Sequence, residues 1–300
     1  MIGNAVVLVL FSFLACQERK ILPSEVIVLN LAAANLVMAV TRGLPHALYV
    51  LGVGNFFSDT GCKAVIYTAR VSRALSICLT CFLSCFQAVT LASTSVSCMR
   101  LKLHLQTQVL PIVFLLLLVN AAFCISPLLF TISGTNMTNL KYAFSVGHCL
   151  VIFPDKLSLH GNSFALFARD LLFVAAMSGA SSYIVCTLYR HGKRVRGIRS
   201  SERSQKISAE ANAARMVTSL VLLYGVFFGI DNTIWLYQNA WSMNSLAAAT
   251  DARYFFSICY TSVFPVVILI FNQRILYSVK GFPSQEKLCV KETSKISSVE

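Results

Sequence analysis

The chain has 300 residues, of which 56% are hydrophobic and only 12% charged, with a mean hydropathy of +0.70. Soluble domains carry about a quarter charged residues, so this composition excludes a soluble globular protein and describes a membrane protein. The net charge of +13 has no nucleic-acid-binding pattern behind it, so no nucleic acid is expected as a partner and the charge must be explained by topology and lipid headgroups.

Apolar runs occur at roughly 1–16, 25–51, 63–90, 108–131, 161–189, 213–238 and 250–271. A hydrocarbon core of about 30 Å needs about 20 residues of helix, so these predict seven membrane spans. Short polar segments separate them, which makes one integral domain over 1–276 followed by a polar tail over 277–300. The first run, Met1 to Cys16, supplies only about 24 Å at 1.5 Å per residue. Either the true start lies upstream or this helix begins within the bilayer. A cleaved signal peptide fits poorly, because "MIGNAVVLVLFSFLACQERK" has no basic n-region and no small-residue cleavage site.

Orientation follows from the positions of lysine and arginine. Arg19 and Lys20 follow the first span, Arg100 and Lys102 the third, and Arg190, Lys193, Arg194, Arg196, Arg199, Arg203 and Lys206 the fifth. Arg274, Lys280, Lys287, Lys291 and Lys295 follow the seventh, whereas the opposite loops hold only Lys63, Lys141 and Lys156. The amino terminus is therefore expected outside and the tail inside, with a basic collar facing anionic lipid. Asn136 to Thr138 is a glycosylation sequon in the long outer connection between spans four and five. Of eleven cysteines only Cys62 and Cys149 fall in or beside outer loops, where a disulfide can form.

Charges inside the spans carry most of the functional reading. Counted from the outer end of each helix, Arg42, Arg70, Arg73, Arg169, Asp170, Asp231, Asp251 and Arg253 all fall in the outer half of the membrane. Scattered or snorkelling residues would not gather in one layer, so the pattern predicts a polar cavity open to the outside. Arg70 and Arg73, three apart, lie on neighbouring positions of one helix, about 12 to 17 Å inward from Cys62. One reading is structural: the arginines pair with Asp170 and Asp231 and hold helices three, five and six together. The other is a binding site, since five arginines outnumber three aspartates by two. Guanidinium groups offer planar donors to carboxylate, sulfate or phosphate, so the ligand expected is small and anionic or a strong hydrogen-bond acceptor. Candidate ligand-binding residues are Arg42, Arg70, Arg73, Arg169, Asp170 and Asp231.

Several strings go further. "GCKAVIYTARVSRALSICLTCFLSCFQAVTLAS" (61–93), "LNLAAANLVMAVTRGLP" (29–45), "VCTLYRHGKRVRGI" (185–198) and "TSVFPVVIL" (261–269) resemble the vomeronasal type-1 receptors and their fish counterparts, the olfactory receptor class A-related proteins. The resemblance runs over nearly the whole chain, in order and with matching loop lengths. It implies an all-α, seven-helix G-protein-coupled receptor of the plasma membrane that detects pheromone-like or other small odorants. It also implies a Cys62–Cys149 disulfide, a glycan on Asn136, and signalling through an inhibitory-type heterotrimeric G protein.

Gln87 stands where the wider rhodopsin-like class has the arginine of its acidic-Arg-Tyr triplet, and Asn35 replaces the usual helix-two aspartate. The family departs from the class in the same way. The residues expected to face the G protein are Gln87, Arg100, Lys102, Arg190, Lys193, Arg194 and Arg196. Helix six is expected to begin near Ser208. Members of the family have a fuller first helix, with outer residues before Gly3 and Asn4, which points to a truncated first helix here and leaves its stability in question.

Rival classes fit less well. A transporter would show internal repeats and broken helices in matching halves. A channel would line the whole membrane with charge or carbonyls, whereas the inner half here is apolar. The five histidines, His46, His104, His148, His160 and His191, have no catalytic or metal-ligand spacing, so neither an enzyme, a metal nor a cofactor is expected. Bitter taste receptors are the nearest alternative, but "TARVSRALS" and "YRHGKRV" favour the vomeronasal kind.

Overall fold

The computed structural model describes residues 1–18, 22–52, 57–92, 96–133, 143–146, 149–195, 201–240 and 246–272. All seven predicted runs are helical. The elements are α1 (Ile2–Glu18), α2 (Pro23–Met38), a π-helical turn (Ala39–Gly43), α3 (Leu44–Val50), α4 (Asp59–Leu91), α5 (Val96–Thr107), α6 (Val109–Phe123) and α7 (Ser126–Phe130). Three short strands follow, β1 (Thr131–Ser133), β2 (Ala143–Val146) and β3 (Cys149–Ile152), and then α8 (Lys156–Val195), α9 (Ser201–Ala240) and α10 (Leu246–Phe271). Among the described residues, five helical stretches are long and apolar enough to span a membrane: Pro23–Leu48, Asp59–Leu91, Val109–Phe130, Lys156–Arg190 and Ala211–Ile234. Ile2–Leu14 and Phe255–Phe271, in the first and last of the described helices, are shorter apolar stretches.

Local chemistry sets the helix ends. Pro23 opens α2 without wasting a donor, and the Glu25 carboxylate accepts the Leu22 N–H at 2.9 Å. Ser58 accepts the Gly61 N–H at the start of α4, and Asp155 accepts the Ser158 N–H at 2.7 Å at the start of α8. Those hydrogen bonds from Ser158 hold the Asp155 carboxyl below its ordinary pKa. The second span is broken by the π turn just before Pro45, whose ring cannot donate to the carbonyl four residues back. Arg42 sits in that turn.

The core is built around α4, which packs against α2, α6, α8 and α9. Ile77, Leu79 and Leu83 of α4 are fully buried together with Ile27, Leu31, Leu220, Phe264 and Ile268. Hydroxyl side chains along α4 are satisfied within the helix: Ser72, Thr80 and Ser84 donate to the carbonyls of Thr68, Ser76 and Thr80 at 2.7 to 2.8 Å. Small, internally satisfied residues let neighbouring helices approach closely without a lipid-exposed polar group. By contrast, Leu110, Phe114, Leu115 and Leu118 of α6 are exposed, as a lipid-facing surface requires.

The shorter end helices are tied by a specific exchange. Pro265 lies inside α10 and has no N–H, so the carbonyl of Thr261 loses its helical partner. Asn4 of α1 supplies a replacement: its Nδ2 donates to the Thr261 oxygen at 2.7 Å, and Asn4 is wholly buried. Gly3 permits the approach, since a Cβ there would come within 2.7 Å of Pro265 Cγ. Val7, Phe11 and Leu14 extend the contact into the core. A helix anchored this way is part of the bundle despite its length.

Three features depart from the sequence reading. The outer connection contains a three-stranded antiparallel sheet of order β1-β3-β2, which pairs Ser133 and Val146 with Cys149. A short inner helix, α5, precedes the fourth span. Helix six begins at Ser201 rather than near Ser208, because nothing between those residues breaks a helix. The disulfide Cys62–Cys149 is formed, with Cα atoms 5.7 Å apart, and pins β3 to the outer end of α4. A small apolar cluster of Cys62, Ile66, Cys149, Val151 and Phe153 sits beneath the sheet, and Asp59 accepts the Ser133 N–H at 2.6 Å. Asn136 lies outside the described residues.

Candidate functional site

In the outer half of the bundle, α2, α4, α9 and α10 enclose a cavity with about 380 Å³ of empty space, its open mouth included. Its lining is Met38, Arg73, Ser76, Tyr224, Phe227, Phe228, Asp231, Phe256, Ser257 and Tyr260. The aromatic walls interlock: Tyr224 and Tyr260 meet edge to face with centroids 5.1 Å apart, and Phe227 lies 6.4 Å from Tyr260 and 6.5 Å from Phe256. Helical spacing brings them together, since Tyr224, Phe227 and Phe228 fall at i, i+3 and i+4 on α9 and Phe256 and Tyr260 at i and i+4 on α10. That spacing is a signal the charge-led reading passed over.

The polar end of the cavity is an ion cluster. Arg73 Nη2 donates to Asp231 Oδ2 at 2.7 Å. On the other side Arg253 Nε donates to Asp231 Oδ1 at 2.9 Å, and its Nη2 reaches Oδ2 at 3.4 Å. One carboxylate on α9 therefore ties α4 and α10 together. The Arg73 and Asp231 side chains are 19% and 10% exposed, so both charges are largely withdrawn from solvent. Removing Asp231 would leave the two arginines without this shared counterion, at a cost of about 3–5 kcal/mol. Arg73 makes this one hydrogen bond among the described residues, although a guanidinium can donate five. The remaining donors belong to a side chain that lines the cavity.

The other predicted residues distribute as follows. Arg42 donates to Ser257 Oγ at 3.0 Å, and Ser257 lines the cavity. Arg70 turns the other way: its Nη1 donates to Ser126 Oγ on α7 at 3.0 Å. Residues three apart on a helix differ by about 60° in direction, enough for Arg70 and Arg73 to reach different neighbours. The expected single arginine pair is thus divided between two places.

Asp170 also departs from expectation. Its hydrogen bonds go not to the α4 arginines but to its own neighbour, Arg169, whose Nη2 and Nε lie 2.6 and 2.9 Å from Oδ1, although its charge still acts on Arg73 through space. Arg169 Nη1 also points at Cys124 Sγ, 3.5 Å away, and its guanidinium carbon lies 5.3 Å from the centre of the Phe123 ring. That makes a second polar cluster between α6 and α8, away from the cavity lining. The side chain of Asp251 lies outside the described ones.

Beneath the cavity runs a chain of polar contacts. Ser76 Oγ donates to Asn35 Oδ1 at 2.8 Å, and the Thr80 and Tyr260 hydroxyls are 3.4 Å apart. At the inner face, Arg100 is exposed and Lys102 half-buried on α5, and Arg190 is exposed on α8. Gln87, expected to face a partner, is instead 7% exposed within the core. Lys193 and Arg194 belong to α8 by backbone, but their side chains lie outside the described ones, as does Arg196 altogether.

Known proteins match this chain over nearly its whole length. The family model described as the vomeronasal organ pheromone receptor family matches residues 1–280. "Olfactory receptor class A-like protein 1" of Danio rerio is 40% identical over 275 residues, covering 91% of this chain and 86% of the relative. "Vomeronasal type-1 receptor 4" of Homo sapiens is 30% identical over 276 residues, 89% of each chain, and "Vomeronasal type-1 receptor 90" of Rattus norvegicus is 26% identical over 93% of this chain and 89% of its own. A match that runs through all seven helices, the disulfide and the cavity leaves one conclusion: this chain belongs to the vomeronasal organ pheromone receptor family.

Proposed function

We propose that the cavity at Arg73 takes a small organic anion with a flat apolar body, as a pheromone or odorant, and that its binding is read by an inhibitory-type heterotrimeric G protein. As a member of its family the chain is a G-protein-coupled chemosensory receptor, multi-pass in the plasma membrane and not an enzyme. The observation that carries the ligand class is the placing of Arg73: a shielded guanidinium with one donor used, facing a cavity walled by Tyr224, Phe227, Phe228, Phe256 and Tyr260. The guanidinium supplies bidentate recognition of an acid group, and the rings supply stacking area for its body. Only a difference in affinity between two bundle arrangements can drive signalling. A site touching α4, α9 and α10 is suited to that, because it senses how these helices sit relative to one another. The inhibitory subtype rests on family resemblance, and the basic residues Arg100, Lys102, Arg190, Lys193, Arg194 and Arg196 are its proposed docking surface. Residues 277–300 form the cytoplasmic tail in this reading.

The test is a reporter cell expressing the receptor, challenged in parallel with benzoate and phenylacetate and with their neutral amides. Carboxylates should activate and amides should not, and pertussis toxin should abolish the response. Activation by the amides alone would overturn the ligand class, and a toxin-insensitive response would overturn the G protein assignment.

A further inference from the structure

Asp231 already occupies the arginines that a ligand's acid group would need. Its two carboxylate oxygens are shared between Arg73 of α4 and Arg253 of α10, with the closest contacts at 2.7 and 2.9 Å. Arg73 and Asp231 both line the cavity. A second carboxylate placed on Arg73 beside Asp231 would bring two like charges within a few ångströms in a low-dielectric site, where repulsion is strong. The arrangement is relieved if one carboxylate leaves.

We propose that Asp231 is a resident counter-anion which the ligand's carboxylate displaces from Arg73 and Arg253, and that its release, by freeing α9 from α4 and α10, is the activating event. The inference rests on the anionic-ligand reading above and adds the step that couples binding to movement. Asp231 is well placed for this, because α9 is one continuous helix from Ser201 to Ala240. From Asp231 to its inner end is about 45 Å of unbroken helix at 1.5 Å per residue, so a shift at the cavity moves the end beside the basic third inner loop. The exchange also makes charge a criterion of selectivity. A neutral ligand of the same shape cannot replace the charge that Asp231 presents to Arg73 and Arg253 and leaves Asp231 in place.

The experiment compares wild type with Asp231→Asn and Arg73→Gln, matched for surface expression by an extracellular epitope tag, with benzoate as probe and benzamide as its neutral control. Without ligand, both variants lose the tie between α4 and α9, so basal G protein signalling should rise several-fold in each. Asp231→Asn removes the competitor while keeping both arginines, so the benzoate concentration for half-maximal response should fall about tenfold. Arg73→Gln should lose the benzoate response. Arg73→Gln leaves Asp231 paired with Arg253 and so creates no orphan charge, which makes it the deciding variant if Asp231→Asn fails to reach the surface. Unchanged basal signalling in a surface-expressed variant overturns the proposal, as does a weaker benzoate response in Asp231→Asn. A wild type that answers benzamide and ignores benzoate overturns the anionic reading instead, and the basal signal still decides the tie.

Discussion

Asn4→Ala tests whether the first helix is held by the carbonyl that Pro265 strands. In the wild type the Thr261 oxygen accepts from Asn4 Nδ2 at 2.7 Å at a wholly buried site. The substitution leaves that carbonyl with neither a helical nor a side-chain donor, which costs about 1–3 kcal/mol in proteins generally. Two effects reduce it: interhelical hydrogen bonds in membranes average nearer ~0.6 kcal/mol, and Asn4 Oδ1, which has no partner among the described residues, is removed as well. The net expectation is about 1–2 kcal/mol. At about 2–4 °C per kcal/mol for a large domain, that lowers the unfolding midpoint of the detergent-solubilised receptor by ~2–8 °C, read from a thiol-reactive dye during heating. The decisive arm is the same substitution in a Pro265→Ala background. There residue 265 regains an N–H that reaches the Thr261 oxygen along the helix, so Asn4→Ala should cost less than ~0.5 kcal/mol. An equal drop in both backgrounds would refute the account, since it would mean that Asn4 stabilises the bundle by some other contact.

Three further outcomes are expected. Cys62→Ser and Cys149→Ser should each reduce surface receptor to the same low level, and the double variant should be no worse; the chain-entropy value for a separation of 87 residues is about 4–5 kcal/mol, an upper bound where inserted helices already restrict the unfolded chain. Asn136→Gln should remove one glycosidase-sensitive band on a gel, whereas a sequon engineered beside Arg100 should stay unmodified, because that loop faces the cytoplasm. Replacing Arg190, Lys193, Arg194 and Arg196 together by Gln should cut the maximal G protein response severalfold at equal surface expression while leaving half-maximal ligand concentration within about twofold; a shift in potency with an intact maximum would assign the run to topology alone.

What the sequence made legible is what depends on local composition. Helices, orientation and the outer position of Cys62 and Cys149 follow from apolar length, lysine and arginine counts, and loop assignment. Asp231 as the counterion of Arg73 was also readable, because depth along a helix is nearly a linear count. Direction around a helix is not. Arg70 and Arg73 differ by about 60°, and whether they converge depends on which helices stand opposite, a tertiary fact. The pairing of Arg169 with its neighbour Asp170 escaped for a related reason: adjacent residues do not face one another on a helix, but a long guanidinium arm can curl back. The small sheet escaped because its strands are three or four residues long and are held by the disulfide and Asp59 rather than by their own pattern. Arg253 stood in the charged layer, but its partner could be assigned only once α10 was seen beside α9.

The energetics of the layer also constrain how such a receptor rests. An arginine in hydrocarbon is tolerable only when paired or hydrated. A chemoreceptor spends most of its time without ligand, so a cation meant for an anionic ligand must have another anion while it waits. In this chain Asp231 fills that role for Arg73 and Arg253, and Ser257 and Ser126 are among the acceptors of Arg42 and Arg70. Ligand affinity is then the difference between two ion pairs, which is small because each exchange breaks nearly what it makes. The aromatic rings must supply the net binding, and the acid group supplies the selectivity. An aliphatic acid of equal charge should therefore bind far more weakly than an aromatic one, whereas an aromatic amide should bind without activating.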